Sequence, residues 1–308
     1  MTKAAVVQAA SVPFDPSAAT AKAVALIEEC GQAGAELAVF PEAFIGGYPK
    51  GSTFGSVVGN RTPDGRRLYE RYSNAAIELD GEEVAQLEVA AREHGVFVVI
   101  GVIEKLGNTL YCTALMIDPQ QGLAGKHRKL MPTAAERLVW GFGDGSTFDV
   151  VDSPVGKVGT VICWENYMPL FRQAMYAKGV EIYCAPTADD RPSWPSSMVH
   201  IALEGRVHVL SACQTITKSQ YPDDYEFEFD APEQLMRGGS MIVDPLGNVL
   251  AGPVYDEETI LYANIDAGLK TRAHLDMDVT GHYARADVFR LSVNTQALNS
   301  VEFGSSTT

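Results

Sequence analysis

Three short segments each run from apolar residues into a side chain able to do chemistry. In residues 37–44, LAVFPEAF, Glu42 stands among apolar neighbours just after a proline that fixes the backbone. A carboxylate is costly to desolvate, so burial there raises its pKa and suits it to general-base work near neutral pH. A glutamate at a helix start, paired with an arginine, is the competing reading. Residues 125–132, GKHRKLMP, run four basic residues into an apolar stretch. One of them turned inward would hold an ammonium beside a developing anion; all four turned outward would make a solvated edge. In residues 158–166, VGTVICWEN, Cys163 closes a strand-like run before a polar turn. Such a position exposes a thiol and directs backbone N–H groups at whatever binds it, so the thiol pKa is expected to fall. A lone cysteine is more often inert core, and each segment taken singly has a commoner structural explanation.

The elements that must position these groups alternate. Short β-rich apolar runs fall at 4–8, 37–40, 96–102, 110–117, 157–163, 182–185, 207–215, 240–243 and 260–265. Helical spacing appears at 18–33, 81–94, 170–178 and 196–207, with Gly95 a plausible C-cap of the second. Turn signals at Asp118-Pro119, 152–154 and 244–248 separate them. The pattern predicts a mixed α/β sandwich, with no internal repeat and no linker that divides the chain. Residues 221–233, acidic and interleaved with aromatics, read as a solvated loop.

Composition narrows the function classes. A net charge of −15 over 308 residues opposes binding to nucleic acid. No run approaches the length of a membrane span, and the N-terminal stretch does not read as a signal peptide. Five scattered cysteines without a C-x-x-C pair fit reduced thiols in a cytoplasm. Cys30, Cys112, Cys184 and Cys213 read as buried core. The six histidines form no H-E-x-x-H motif, so no metal site is expected. Phosphate-loop, dinucleotide and G-x-S-x-G signatures are missing as well.

A glutamate, a lysine and a cysteine in that chain order, each at a strand end, resemble the nitrilase superfamily of carbon–nitrogen hydrolases, and its nitrilase branch in particular. The stretches that carry the resemblance are PEAFIGGYPKG (41–51), KHRKLMPTAAERLVWGFGDGS (126–146), CWENYMPL (163–170), HIALEGRVHVLSACQ (200–214), GGSMIVDPLGNVL (238–250) and DVTGHYARADVF (278–289). The resemblance implies an α-β-β-α sandwich over residues 1–290 that pairs into an eight-layer dimer or higher homo-oligomer, with a partly disordered tail at 291–308. It also implies Glu42 as general base, Lys129 as catalytic lysine, Cys163 as nucleophile and Glu136 as a second glutamate beside the lysine. The Trp164 backbone N–H would share oxyanion stabilisation with Lys129. Longer members carry a C-terminal extension; the chain ends at Thr308, which argues against long spiral assembly. Tyr48, Trp164 and Trp194 are candidates for the substrate pocket. The implied reaction converts a small nitrile to a carboxylic acid and ammonia through a cysteine thioimidate and thioester, without a cofactor. An amidase or carbamoylase, a cyanide-degrading hydrolase, and a catalytically silent scaffold are the alternatives.

Overall fold

The computed structural model describes residues 1–298 and Val301. Two β-sheets stack face to face and helices cover both outer surfaces. The first sheet has six strands in the order Thr259–Ile265, Thr2–Gln8, Leu37–Val39, Phe97–Leu106, Thr109–Asp118, Gly122–Arg128. The second runs Thr215–Thr217, Gln234–Val243, His208–Cys213, Ile182–Thr187, Gly156–Thr160, Val150–Ser153, with Val249–Tyr255 also paired to Gln234–Val243.

Period-two alternation sorts the apolar side chains into layers, because successive residues of a strand face opposite sides of the sheet. Ala4, Val6, Leu37, Val39 and Val99 point inward and meet Val158, Ile182, Leu210 and Ile242 of the second sheet. Their sequence neighbours Ala5, Val7, Ala38 and Val98 point outward, onto Ala23, Ile27 and Leu87 of the helices Pro16–Gln32 and Glu82–His94. On the far side Tyr183, Val209 and Met241 pack against helices Pro169–Ala177 and Trp194–Gly205. The result is the expected α-β-β-α sandwich. Asp15 caps the first helix by accepting from the Ala18 N–H at 2.9 Å. Gly95, at φ 66°, ends the Glu82–His94 helix as its sequence suggests.

Several elements carry no clear signal in the sequence. Helix Pro63–Asn74 buries only Gly65 and Tyr72, so its residues show no apolar stripe; Thr62 caps it by accepting from the Gly65 N–H. Strands Gly122–Arg128, Val150–Ser153 and Val249–Tyr255 lie at sheet edges with many half-exposed residues. The acidic segment 221–233 departs from its reading as a solvated loop. Tyr221, Tyr225 and Ala231 are buried there. The Tyr221 and Tyr225 hydroxyls donate to the carbonyls of Tyr48 and Lys50 at 2.6 and 2.8 Å. Tyr221 and Tyr225 go in while the carboxylates and Phe229 stay out, so charge density alone misjudges the segment.

Residues 291–298 form no helix or strand, and the Leu298 N–H donates to Asp144. The expectation of disorder for the rest of the tail lies, Val301 apart, outside the described residues. Among the described residues no helix is long and apolar enough to cross a membrane.

Candidate active site

Five strands deliver their following residues to one end of the sandwich, the end reached by the C-termini of Leu37–Val39, Gly122–Arg128, Gly156–Thr160, Ile182–Thr187 and His208–Cys213. Glu42, Lys129 and Cys163 each come just after one of these strands. The Glu42 turn docks against Gly101, whose N–H donates to the Pro41 carbonyl while its own carbonyl accepts from Phe44. A Cβ on Gly101 would sit 2.4 Å from the Pro41 oxygen and 2.6 Å from the Glu42 Cα, so only glycine lets the turn approach. From the second sheet, Gln214 reaches across and donates to the Glu42 carbonyl at 2.9 Å.

Lys129 is the centre of the cluster. Its Nζ donates to Glu42 Oε1 at 2.6 Å and to Glu136 Oε2 at 2.8 Å, and it lies 5.4 Å from the Trp140 ring centroid. Of the four basic residues at 126–129 it is the one that projects an ammonium into this cluster. Arg128 and Lys126 pair with Glu104, and His127 is buried against Glu165. Glu136 opens toward two further donors, the Tyr48 hydroxyl at 2.7 Å and the Thr133 N–H at 2.5 Å. Burial opposes the charge on Lys129, but the carboxylates around it win, with Glu42 first, and hold the ammonium well above the ordinary lysine range. The pKa of Glu42 is raised too, which for a carboxyl favours the neutral form. Burial raises its pKa, and Glu136 raises it further against the pull of Lys129. Two carboxylates thus share one cation, and Glu42 Oε2 is buried with no hydrogen-bond partner among the described residues. Cys112 Sγ donates to the other oxygen of Glu42 at 3.4 Å.

Cys163 starts a short 3-10 turn, Cys163–Tyr167, in a left-handed conformation with φ 52°. Such a conformation is strained for any residue with a Cβ. Asn166 braces the turn by donating to the carbonyls of Val161 and Cys163 at 2.9 and 2.8 Å. Ala43, next to the glutamate, is equally unusual at φ 51°. The sulfur packs with Cys112 and Ala43 in one buried cluster.

The expectation of a lowered thiol pKa is overturned. Cys163 is only 5% exposed, and burial pushes its thiol well up. The Glu42 charge adds to the rise, while Lys129 and the Thr187 hydroxyl pull back without cancelling it. The turn supplies N–H groups, but burial favours the neutral thiol over the thiolate.

Of the proposed pocket residues, Tyr48 lies in the site through Glu136. Trp164 is 41% exposed; its indole donates to Asp189 Oδ2 at 2.9 Å, and the Arg191 guanidinium lies 4.5 Å from its ring centroid. Trp194 is elsewhere. It is 1% exposed, inside the core between the second sheet and its helices, with its indole donating to Ser211 at 2.9 Å. Pro195 opens the helix Trp194–Gly205, and the indole turns inward. Cys112, read as inert core, is buried but touches Glu42. Gln214, Glu165 and Asn166 were not singled out; a buried polar residue at a strand end is the signal they share with Glu42. A cavity of ≈ 400 Å³ opens beside Tyr48, Glu136, Phe54, Val139 and Phe229.

Comparison with known proteins fits this geometry. The family model described as "Carbon-nitrogen hydrolase" matches residues 3–273. An aliphatic nitrilase of Sinorhizobium fredii is 58% identical over 98% of this chain and 99% of its own. A bifunctional nitrilase/nitrile hydratase of Nicotiana tabacum is 52% identical over 98% of this chain and 89% of its own. The crystal structure of a carbon–nitrogen hydrolase from Helicobacter pylori superposes with a TM-score of 0.73 at 21% identity, covering 94% of this chain and 96% of the other.

Proposed function

Because the chain belongs to the carbon–nitrogen hydrolase family, we propose that it is a nitrilase, hydrolysing a small organic nitrile to a carboxylic acid and ammonia within one catalytic domain at residues 1–290. The observation that carries the reading is a buried ammonium held between two carboxylates, one of which keeps a free oxygen, in a site that also holds a neutral thiol. A thiol that is not ionised at rest needs a base at the moment of attack. Glu42, with its pKa raised by burial, is matched to that task.

Glu42 takes the thiol proton as Cys163 sulfur adds to the nitrile carbon. The nitrogen becomes an anion, which Lys129 and the N–H of Trp164 stabilise; the first N–H groups of a helical turn have no partner within it. Protonation gives a thioimidate. Water deprotonated by Glu42 adds to the same carbon, and the tetrahedral species expels ammonia to leave a thioester. A second water releases the acid and restores the thiol. Splitting one addition into covalent steps needs no cofactor. The ≈ 400 Å³ cavity beside Glu136 and Tyr48 falls in the usual range for small-molecule sites, which run from about 300 to 1,000 Å³.

The same proposal extends to assembly and place. Tyr167, Leu170 and Leu203 are exposed around the helices of the second sheet, an apolar centre suited to pairing two copies into a homodimer. All five cysteines are free and buried, in keeping with a reducing cytoplasm. The test is ammonia release across a panel of nitriles and the matching amides, for the wild type and for Cys163→Ala. Acid and ammonia from nitriles, lost entirely in the folded variant, is the expected result. Turnover of amides alone would make the protein an amidase, and substantial turnover by Cys163→Ala would refute the nucleophile.

A further inference from the structure

Glu165 follows the nucleophile by two positions, yet no step of the proposed reaction uses it. Its carboxylate is 1% exposed and receives three donors from two different segments. Oε2 accepts from the Ile162 N–H at 2.9 Å and faces His127 Nε2 at 2.9 Å; Oε1 accepts from the Leu130 N–H at 2.6 Å. Ile162 immediately precedes Cys163, and Leu130 immediately follows Lys129. One carboxylate therefore ties the backbone beside the nucleophile to the backbone beside the ammonium.

The bond to Ile162 alone would be ordinary. A glutamate at the third position of a helical turn often reaches back to the N–H at its start. The other two donors go beyond capping, because they come from the strand that carries the lysine. His127 completes the arrangement. Its Nδ1 lies 3.1 Å from the Thr147 carbonyl, which can only accept, so Nδ1 bears a proton. Its Nε2 faces the carboxylate. The ring centroids of Phe148 and Phe171 lie 5.9 and 5.1 Å from the imidazole and pack against it.

We propose that Glu165 is a positioning residue that sets the spacing between Cys163 and Lys129, and that His127, hydrogen-bonded through both ring nitrogens, anchors its carboxylate. The idea rests on the nitrilase reading for its relevance to turnover, but not for its geometry.

Two measurements separate those dependencies. His127→Ala removes the anchor and leaves Glu165 in place, so alkylation of Cys163 by iodoacetamide should slow in the folded variant. Wild-type alkylation in folded His127→Ala would overturn the anchor. Glu165→Gln leaves one oxygen for three donors. Its kcat per titrated active site should fall about 100-fold with KM within about threefold, and alkylation of Cys163 by iodoacetamide should slow in parallel, in line with losing charge-assisted hydrogen bonds to a buried group. A merely structural role would lower the melting temperature while folded sites kept wild-type kcat and thiol reactivity; that result would overturn the proposal. Should Glu165→Gln fail to fold, Glu165→Asp supplies the kinetic test, since a shorter carboxylate cannot reach both segments. Alkylation does not involve a nitrile, so it stands or falls independently of the substrate.

Discussion

Glu136→Gln changes charge with little change of shape, which makes it the most informative single substitution in the site. An amide oxygen in place of Oε2 can still accept from Lys129 Nζ and the Thr133 N–H, bonds of 2.8 and 2.5 Å in the wild type. The amide nitrogen would then face the Tyr48 hydroxyl, which can rotate to accept. What disappears is a negative charge against a buried ammonium. Hydrogen bonds to charged groups contribute about 1.5–3 kcal/mol, so kcat should fall roughly 10- to 150-fold. Two further shifts have definite signs. Glu136 raises the pKa of Glu42, so its neutralisation lets Glu42 ionise more readily. As the proposed base Glu42 would act in its ionised form, and the acidic limb of kcat/KM against pH should therefore move to lower pH. The tetrahedral species can expel either ammonia or the thiolate, and ammonia leaves only when its nitrogen is protonated. With one carboxylate fewer to favour that proton, amide should increase relative to acid, by about tenfold for one pKa unit of lost bias. Acid should still predominate in the wild type, with somewhat more amide from an electron-poor nitrile. Acid, amide and ammonia measured by chromatography over a pH series decide the matter. An unchanged rate and ratio, or an acidic limb displaced upward, would refute the role given to Glu136.

Cys112→Ala removes a weak donor from Glu42 and should lower kcat about fivefold, equivalent to roughly 1 kcal/mol, while Cys112→Ser retains most activity; steady-state kinetics on one nitrile check both. Trp194→Ala should destabilise by about 3–5 kcal/mol in a denaturant titration, as expected for an emptied core, whereas Trp164→Ala should alter KM with a stability change below about 1 kcal/mol. Exhaustive chelation should leave activity intact while thiol alkylation abolishes it, since proton transfer and anion stabilisation are assigned to Glu42 and Lys129; activity lost to a chelator and restored by metal would contradict the scheme. Light scattering at micromolar protein should give at least a dimer, and a fully active monomer would remove the proposed interface.

The layered fold was readable because burial on both faces leaves a record in sequence. Strands such as 96–102 and 110–117 are continuous apolar runs, and Ala23, Ile27 and Leu87 fall at helical spacing. Edge strands and the Pro63–Asn74 helix left little trace, since few of their residues are buried. The cluster Glu42, Lys129 and Cys163 stood out as reactive groups set where apolar strands end. What the chain could not disclose was direction. Nothing local separates the inward Lys129 from Lys126, and nothing near Trp194 says which way its indole turns. The thiol pKa was misjudged for the same reason: a strand end implies access, while exclusion of water depends on segments such as 40–48 and 139–140 that arrive from elsewhere.

The left-handed backbone at Ala43 and Cys163 bears on how this enzyme would respond to laboratory selection. Holding an L-residue there costs roughly 1–2 kcal/mol, which glycine would recover. At 43 the exchange removes one methyl and relaxes the turn beside Glu42, the proposed base, so a library screened only for heat resistance should enrich glycine there and return sturdier, slower catalysts. At 163 no such compromise exists, because relaxing the backbone means deleting the sulfur. Directed evolution of this protein should therefore alternate thermal challenge with a turnover screen in every round, since the two pressures pull apart at the residues that flank or perform the chemistry.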